Sequence, residues 1–159
     1  MSEDFIPFFK IDEEKEVPQT SKPKLQPAKK FRKVRSDKHR DIKFPVSKEE
    51  QIRLKIACKL ANSQLHNDNQ EMKQTRFNTL LLEYSLKNNL DTLNLDRLYK
   101  DSNLYMHTKP SGREYEIIGG PHGLSTRNGI SDRRLVYCLV ITALETFERK
   151  GDYRDDFFL

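Results

Sequence analysis

The side chains in this chain that could do chemistry are mostly cations, and they are concentrated. Residues 22–43 carry ten Lys or Arg against two Asp, a net of +8, while residues 1–16 carry two Lys against six Asp or Glu, a net of −4. A dense basic run either neutralises phosphates or lies solvated. The whole chain is +5 with a pI near 9.1, which permits a polyanionic partner without naming one. Nucleophile and metal chemistry find little support. Cys58 and Cys138 both fall in apolar stretches, and there is no CxxC or His/Cys cluster. They read as small core residues, with neither a disulfide nor a zinc site expected. His107 and His122 have no neighbouring nucleophile or paired carboxylate for acid–base work. Gly119-Gly120-Pro121-His122-Gly123 lacks the Lys-Ser/Thr of a phosphate loop and reads as a turn. The expectation is a protein that is not an enzyme and takes no cofactor.

The elements that must position these cations follow from the apolar pattern. Hydrophobic residues make up 35% of the chain and charged residues 33%, so part of it should stay outside any packed core. That part is residues 1–39, with Pro7, Pro18, Pro23 and Pro27 and no sustained periodicity, which read as a disordered tail. From Arg40 the pattern alternates, with Ile42, Phe44 and Val46 on one side and Asp41, Lys43 and Pro45 on the other. That is a strand, and Pro45 confines it to an edge or an isolated ribbon. Ser47-Lys48-Glu49-Glu50 is a capping box opening a helix that carries Ile52, Leu54, Ile56, Ala57, Cys58, Leu60 and Ala61 to about Asn62. Residues 63–74 form a polar loop. Thr75 is the expected N-cap of a second helix, with Phe77, Leu80, Leu81 and Tyr84 at i, i+3, i+4 and i+7 and a left-handed stop at Asn88 or Asn89.

Further on, Leu93, Leu95, Leu98 and Tyr99 suggest a short helix, and Tyr105–His107 and Arg113–Ile118 flank Lys109-Pro110-Ser111-Gly112 as a hairpin. A final helix from Ser131 to Lys150, ended by Gly151, is apolar all round through Leu135–Leu144 and should be buried on several sides. That run is about half a membrane span. The N-terminus is acidic where a secretory signal is basic. A soluble protein of a reducing, cytoplasmic setting is expected, with no membrane partner.

The series from Arg40 to Asn89 resembles the ribbon–helix–helix family of DNA-binding proteins. The resemblance rests on Ile42-Lys43-Phe44-Pro45-Val46-Ser47, on Glu50-Gln51-Ile52-Arg53-Leu54 and on Thr75-Arg76-Phe77-Asn78-Thr79-Leu80-Leu81-Leu82-Glu83-Tyr84, roughly a third of the chain. It implies an α+β, mainly helical fold with a ribbon–helix–helix dimer core. One strand and two short helices bury too little apolar surface alone. Two copies solve this by pairing their strands as a two-stranded ribbon above interlocked helices, and such a ribbon fits the B-DNA major groove. The resemblance makes Asp41, Lys43 and Pro45 the outward, base-reading positions. Lys43 would donate to guanine O6 and N7, Asp41 would accept from cytosine N4, and Pro45 would offer apolar contact. Arg40 would read a base or hold a phosphate. Thr75 and Arg76, at the second helix start, match the family's phosphate clamp. Lys29, Lys30, Arg32, Lys33 and Arg35 form an arm that tracks the DNA, or else a solvated linker.

Three regions are therefore expected: a tail over 1–39, the DNA-binding unit over 40–89, and a C-terminal oligomerisation or accessory domain over 90–159 built from the hairpin and the last helix. The implied function is sequence-specific duplex DNA binding near the nucleoid, as a transcriptional repressor or as a plasmid or mobile-element copy-control, partition or relaxosome accessory factor. Two copies would read pseudo-palindromic or directly repeated half-sites. Ser125–Ser131 leading into Asp132-Arg133-Arg134 weakly resembles a second copy of the family's second helix. A tandem would then take Arg113–Ile118 as its second strand, but no full first helix fits between Ile118 and Ser131, so the oligomerisation domain is preferred. The alternative function is a protein–protein adaptor acting through the last helix and the acidic-aromatic ends, with Phe5, Ile6 and Phe8 or Phe157 and Phe158 as docking residues. The inward assignment of Phe44 gives a first test. Phe44→Asp buries an unpaired charge and unfolds the dimer, with a loss of about 3–5 kcal/mol or more by thermal melting; a wild-type melting temperature would put Phe44 on the surface.

Overall fold

The computed structural model describes residues 39–65 and 71–153, which fall in one compact unit. Its elements in order are β1 (Ile42–Pro45), α1 (Lys48–Gln64), α2 (Gln74–Asn88), β2 (Tyr105–Thr108), α3 (Gly112–Gly119), α4 (Leu124–Asn128) and α5 (Asp132–Lys150). The protein is α+β and mainly helical. The expected tail, the centre of the expected loop and the last six residues lie outside the described residues. No helix among the described residues is long and apolar enough to cross a membrane.

The two strands pair antiparallel, with Ile42 opposite Thr108, Lys43 opposite His107, Phe44 opposite Met106 and Pro45 opposite Tyr105. The strand that partners β1 therefore comes from the same chain. Alternation sends Ile42, Phe44 and Val46 inward from β1, as the spacing predicts, and Met106 and Thr108 inward from β2; all five are buried. Thr108 satisfies its buried hydroxyl by donating to the Ile42 carbonyl at 3.3 Å. Bonds from Arg40 N–H to Pro110 O and from Val46 N–H to Leu104 O extend the ladder at both ends. Because Val46 and Leu104 exchange a bond, alternation makes Pro45–Tyr105 a non-hydrogen-bonded pair. The donor that Pro45 lacks would have pointed away from β2, so the proline costs the ribbon nothing.

The floor beneath the ribbon is made by α2 and α5, the most extensively packed helix pair. β1 also packs on α5, and β2 on α2. Residues 40–89 and 90–153 thus share one core, with Phe77, Leu81 and Leu82 from α2 and Leu135, Leu139, Ile141 and Leu144 from α5 all fully buried. The apolar run of α5 is buried against its own chain. Ser85, buried in α2, donates to the Leu139 carbonyl of α5 at 2.6 Å, so a small polar residue sits where the helices meet. Tyr84 and Phe147 add a tilted ring pair at 4.7 Å.

Local signals set several helix ends. Ser47 and Glu50 form the capping box of α1. Ser131 caps α5, and Gly151 ends it with a φ of 70° that an L side chain adopts only with strain. Several expectations change, and residues 93–99 form turns instead of the short helix expected there. The segment Arg113–Ile118 is helical, not a strand, because Ser111 and Glu114 form a second capping box, with Ser111 N–H donating to the Glu114 carboxylate at 2.6 Å. The hairpin expected there is absent, and the single strand Tyr105–Thr108 pairs with β1 instead. Another change is at α2, which begins at Gln74 behind an N-cap at Lys73 that makes no side-chain cap bond. Gln74 is held by tertiary contact, its Nε2 donating to Leu54 O and to Asn78 Oδ1, and this overrides the capping preference of Thr75. The C-cap Asn89 has a φ of −117°, outside the left-handed region expected for it.

The chain order then runs in each half from a strand through a Ser-Glu-capped helix to a floor helix. Exchanging the antiparallel strands carries Lys43 onto His107, a step of 64 positions, and the same step carries Ser47 and Glu50 onto Ser111 and Glu114. In the second half, α3 and α4 together stand where α1 stands in the first. Asp132 joins them to α5 by accepting from Tyr115 and Ser125. Ser85→Leu, at the meeting of α2 and α5, overpacks this floor and should cost about 1–3 kcal/mol in a denaturant titration; no loss would mean that the two helices are not held at this spacing.

Candidate nucleic-acid interface

The outer surface of the ribbon collects the polar side chains of both strands. From β1 it takes Asp41 and Lys43, both exposed, and from β2 and its end Tyr105, His107 and Lys109. Lys43 lies directly across from His107 and has no hydrogen-bond or ion-pair partner among the described residues. Asp41 faces the His107 imidazole, with Oδ1 3.1 Å from Nδ1. Tyr105 donates its hydroxyl to Asp101 at 3.0 Å. Pro45 departs from the outward placement expected of it and is buried. A compact ring across from a tyrosine, at the closely spaced type of pair, is easily covered.

The two ends of the ribbon differ. At one end Arg40 lays its guanidinium 3.9 Å above the Tyr115 ring, and His39 Nδ1 lies 3.1 Å from the Lys109 carbonyl. With Lys109 exposed there as well, Arg40 and Lys109 bring positive charge to that end. Lys29, Lys30, Arg32, Lys33 and Arg35 lie outside the described residues, as do Phe5, Ile6, Phe8, Phe157 and Phe158. The other end carries Pro45, Tyr105 and Asp101.

Buried polar contacts hold the ribbon from below. Asn78 Nδ2 donates to the His107 carbonyl at 3.1 Å, and Thr79 Oγ1 accepts from Lys109 N–H at 2.9 Å. Both acceptor and donor belong to residues whose side chains face outward, so α2 fixes the backbone that aims them. At the opposite end Ser102 donates to Val46 O at 2.6 Å, and Tyr137 donates to Glu50 at 2.6 Å. Burial and that bond push the Tyr137 phenol above its usual pKa, keeping it a donor.

The helix starts flank this surface. The first amides of α2 carry no side-chain cap, a state that favours an anion. Thr75 lies half-buried in that first turn, its carbonyl accepting from Thr79. Arg76 is exposed and pairs with Glu83 at 3.3 Å. Partial burial raises the Glu83 pKa, an effect that Arg76 opposes. At the start of α5, Arg133 is exposed, while Arg134 is tied to the Leu95 carbonyl. The structure therefore gathers Arg40, Asp41 and Lys43, and adds Tyr105, His107, Lys109 and Arg133. The signal for the added residues was the recurrence of Ser-x-x-Glu at 111–114 behind a short alternating stretch. Cys58 and Cys138 are free and buried, and burial raises both thiol pKa values.

No protein-family model, curated protein or solved structure matches the chain. Thr79→Val leaves the Lys109 N–H without its acceptor and should cost about 1–2 kcal/mol of folding stability in a denaturant titration; an unchanged midpoint would mean that α2 does not anchor the end of β2.

Proposed function

We propose that this chain binds duplex DNA by laying the β1–β2 ribbon in the major groove, as a ribbon–helix–helix unit whose two halves lie in one chain. One observation carries the reading: Lys43, outward and without a partner among the described residues, sits at the centre of a two-stranded antiparallel ribbon anchored from below by α2 and α5. The major groove is about 12 Å wide and admits a ribbon of two strands. Lys43 donates to guanine O6 and N7, and His107 beside it offers a ring nitrogen to a neighbouring base edge. Arg40 and Lys109 contact phosphates at one end. The uncapped amides of α2 and the Arg133 side chain at the start of α5 contribute backbone contacts on the flanks. A protein of this kind acts as a promoter repressor or as a copy-control, partition or relaxosome accessory factor.

A second reading, a protein–protein adaptor, draws on a different surface from the one expected. The apolar middle of α5 is buried in the core, but α1 exposes Ile52, Ile56 and Leu60 at four-residue spacing. Salt separates the two, since neutralised phosphates make affinity fall steeply as salt rises. Lys43→Ala should weaken binding to the protein's preferred duplex by about 1–3 kcal/mol at an unchanged melting temperature. Equal affinity of variant and wild type in a fluorescence-anisotropy titration would remove the ribbon from the interface.

A further inference from the structure

We infer that one copy of this chain reads a non-palindromic duplex, with the two sides of the site recognised by different chemistries. This rests on the proposed DNA-binding reading and specifies its substrate. In an antiparallel ribbon made by two identical strands, every reading residue occurs twice, related by a two-fold axis, and the preferred site is correspondingly symmetric. Here the ribbon is closed within one chain, and the axis that would exchange its strands passes through the Lys43–His107 pair. The residues that this axis exchanges are unlike one another.

Lys43 exchanges with His107, a permanent cation with a ring that both donates and accepts. Asp41 exchanges with Tyr105, a carboxylate with a phenol. Pro45 exchanges with Lys109, a buried ring without an N–H with an exposed ammonium. The difference extends to the ends. One end combines Lys109 and Arg40 with Asp41, so two cations and one carboxylate face guanine edges and phosphates there. The other combines Tyr105 with Asp101 and Pro45, a phenol tied to a carboxylate beside a buried ring, which suits apolar or acceptor-type contact, with Arg133 near Tyr105 as its cation. Meanwhile the caps are matched between the halves, Ser47 with Ser111 and Glu50 with Glu114, as is the inward pair Ile42 and Met106, while Phe44 exchanges with Thr108, both buried. The scaffold repeats while its reading surface does not.

The test is enrichment of a random duplex pool by the full chain, followed by the same enrichment with Tyr105→Ala and, separately, with Lys109→Ala. The expected result is a motif that differs from its own reverse complement. Each variant should lose roughly tenfold or more in base preference on one side of the motif centre only, and on opposite sides. Either variant alone is informative if the other fails to fold. A palindromic wild-type motif, or a variant that relaxes both sides equally, would mean that two copies are reading and would overturn the inference while leaving DNA binding intact. No enriched motif from the wild type would overturn the DNA-binding reading itself.

Discussion

A two-stranded ribbon is marginal in water unless one face is covered, and everything else in this protein follows from how that cover is built. Four-residue strands cannot supply it themselves. The crossing of α2 and α5 does, with each strand resting on a helix from the other half of the chain. That exchange makes the two halves inseparable: neither β1 nor β2 has a complete apolar floor from its own half. Ser85 shows how close the crossing is, since a buried hydroxyl satisfies itself on an α5 carbonyl.

The polar groups that could have been orphaned by this arrangement are used to aim the ribbon. Asn78 and Thr79, buried near the start of α2, bond the backbone of His107 and Lys109. Their partners in the other half are different. Pro45, in the place of Lys109, has no N–H to satisfy. Tyr137, at the corresponding turn of α5, reaches Glu50 and through it the cap of α1. The same mechanical task is thus met by two sets of contacts, and this frees the outward residues to differ as well.

Joining both halves in one chain also changes what binding would require. A ribbon made of two chains forms only as fast and as fully as they associate, whereas this ribbon is preorganised at any concentration. The cations Arg40 and Lys109 sit together at one end of the ribbon's outer surface. For a ligand of uniform negative charge this sets a direction along it.

The sequence by itself determined what short-range physics encodes. The Ser47 capping box, the inward turn of Ile42, Phe44 and Val46, and the bounds of α5 from Ser131 to Gly151 are each written within a few neighbouring residues, and each was legible. A second box at Ser111 and Glu114 was equally present but was masked by a Pro-Ser-Gly stretch that reads as a turn. Tertiary structure decided the rest. The helix α2 begins at Gln74, not after Thr75, because Gln74 is bonded to α1, and Pro45 is buried across from Tyr105. Above all, β1 takes β2 as its partner, with Lys43 and His107 paired across 64 positions of sequence. Strand pairing has no local signature. Its register is chosen by which face finds a common floor, and that floor exists only once α2 and α5 have packed.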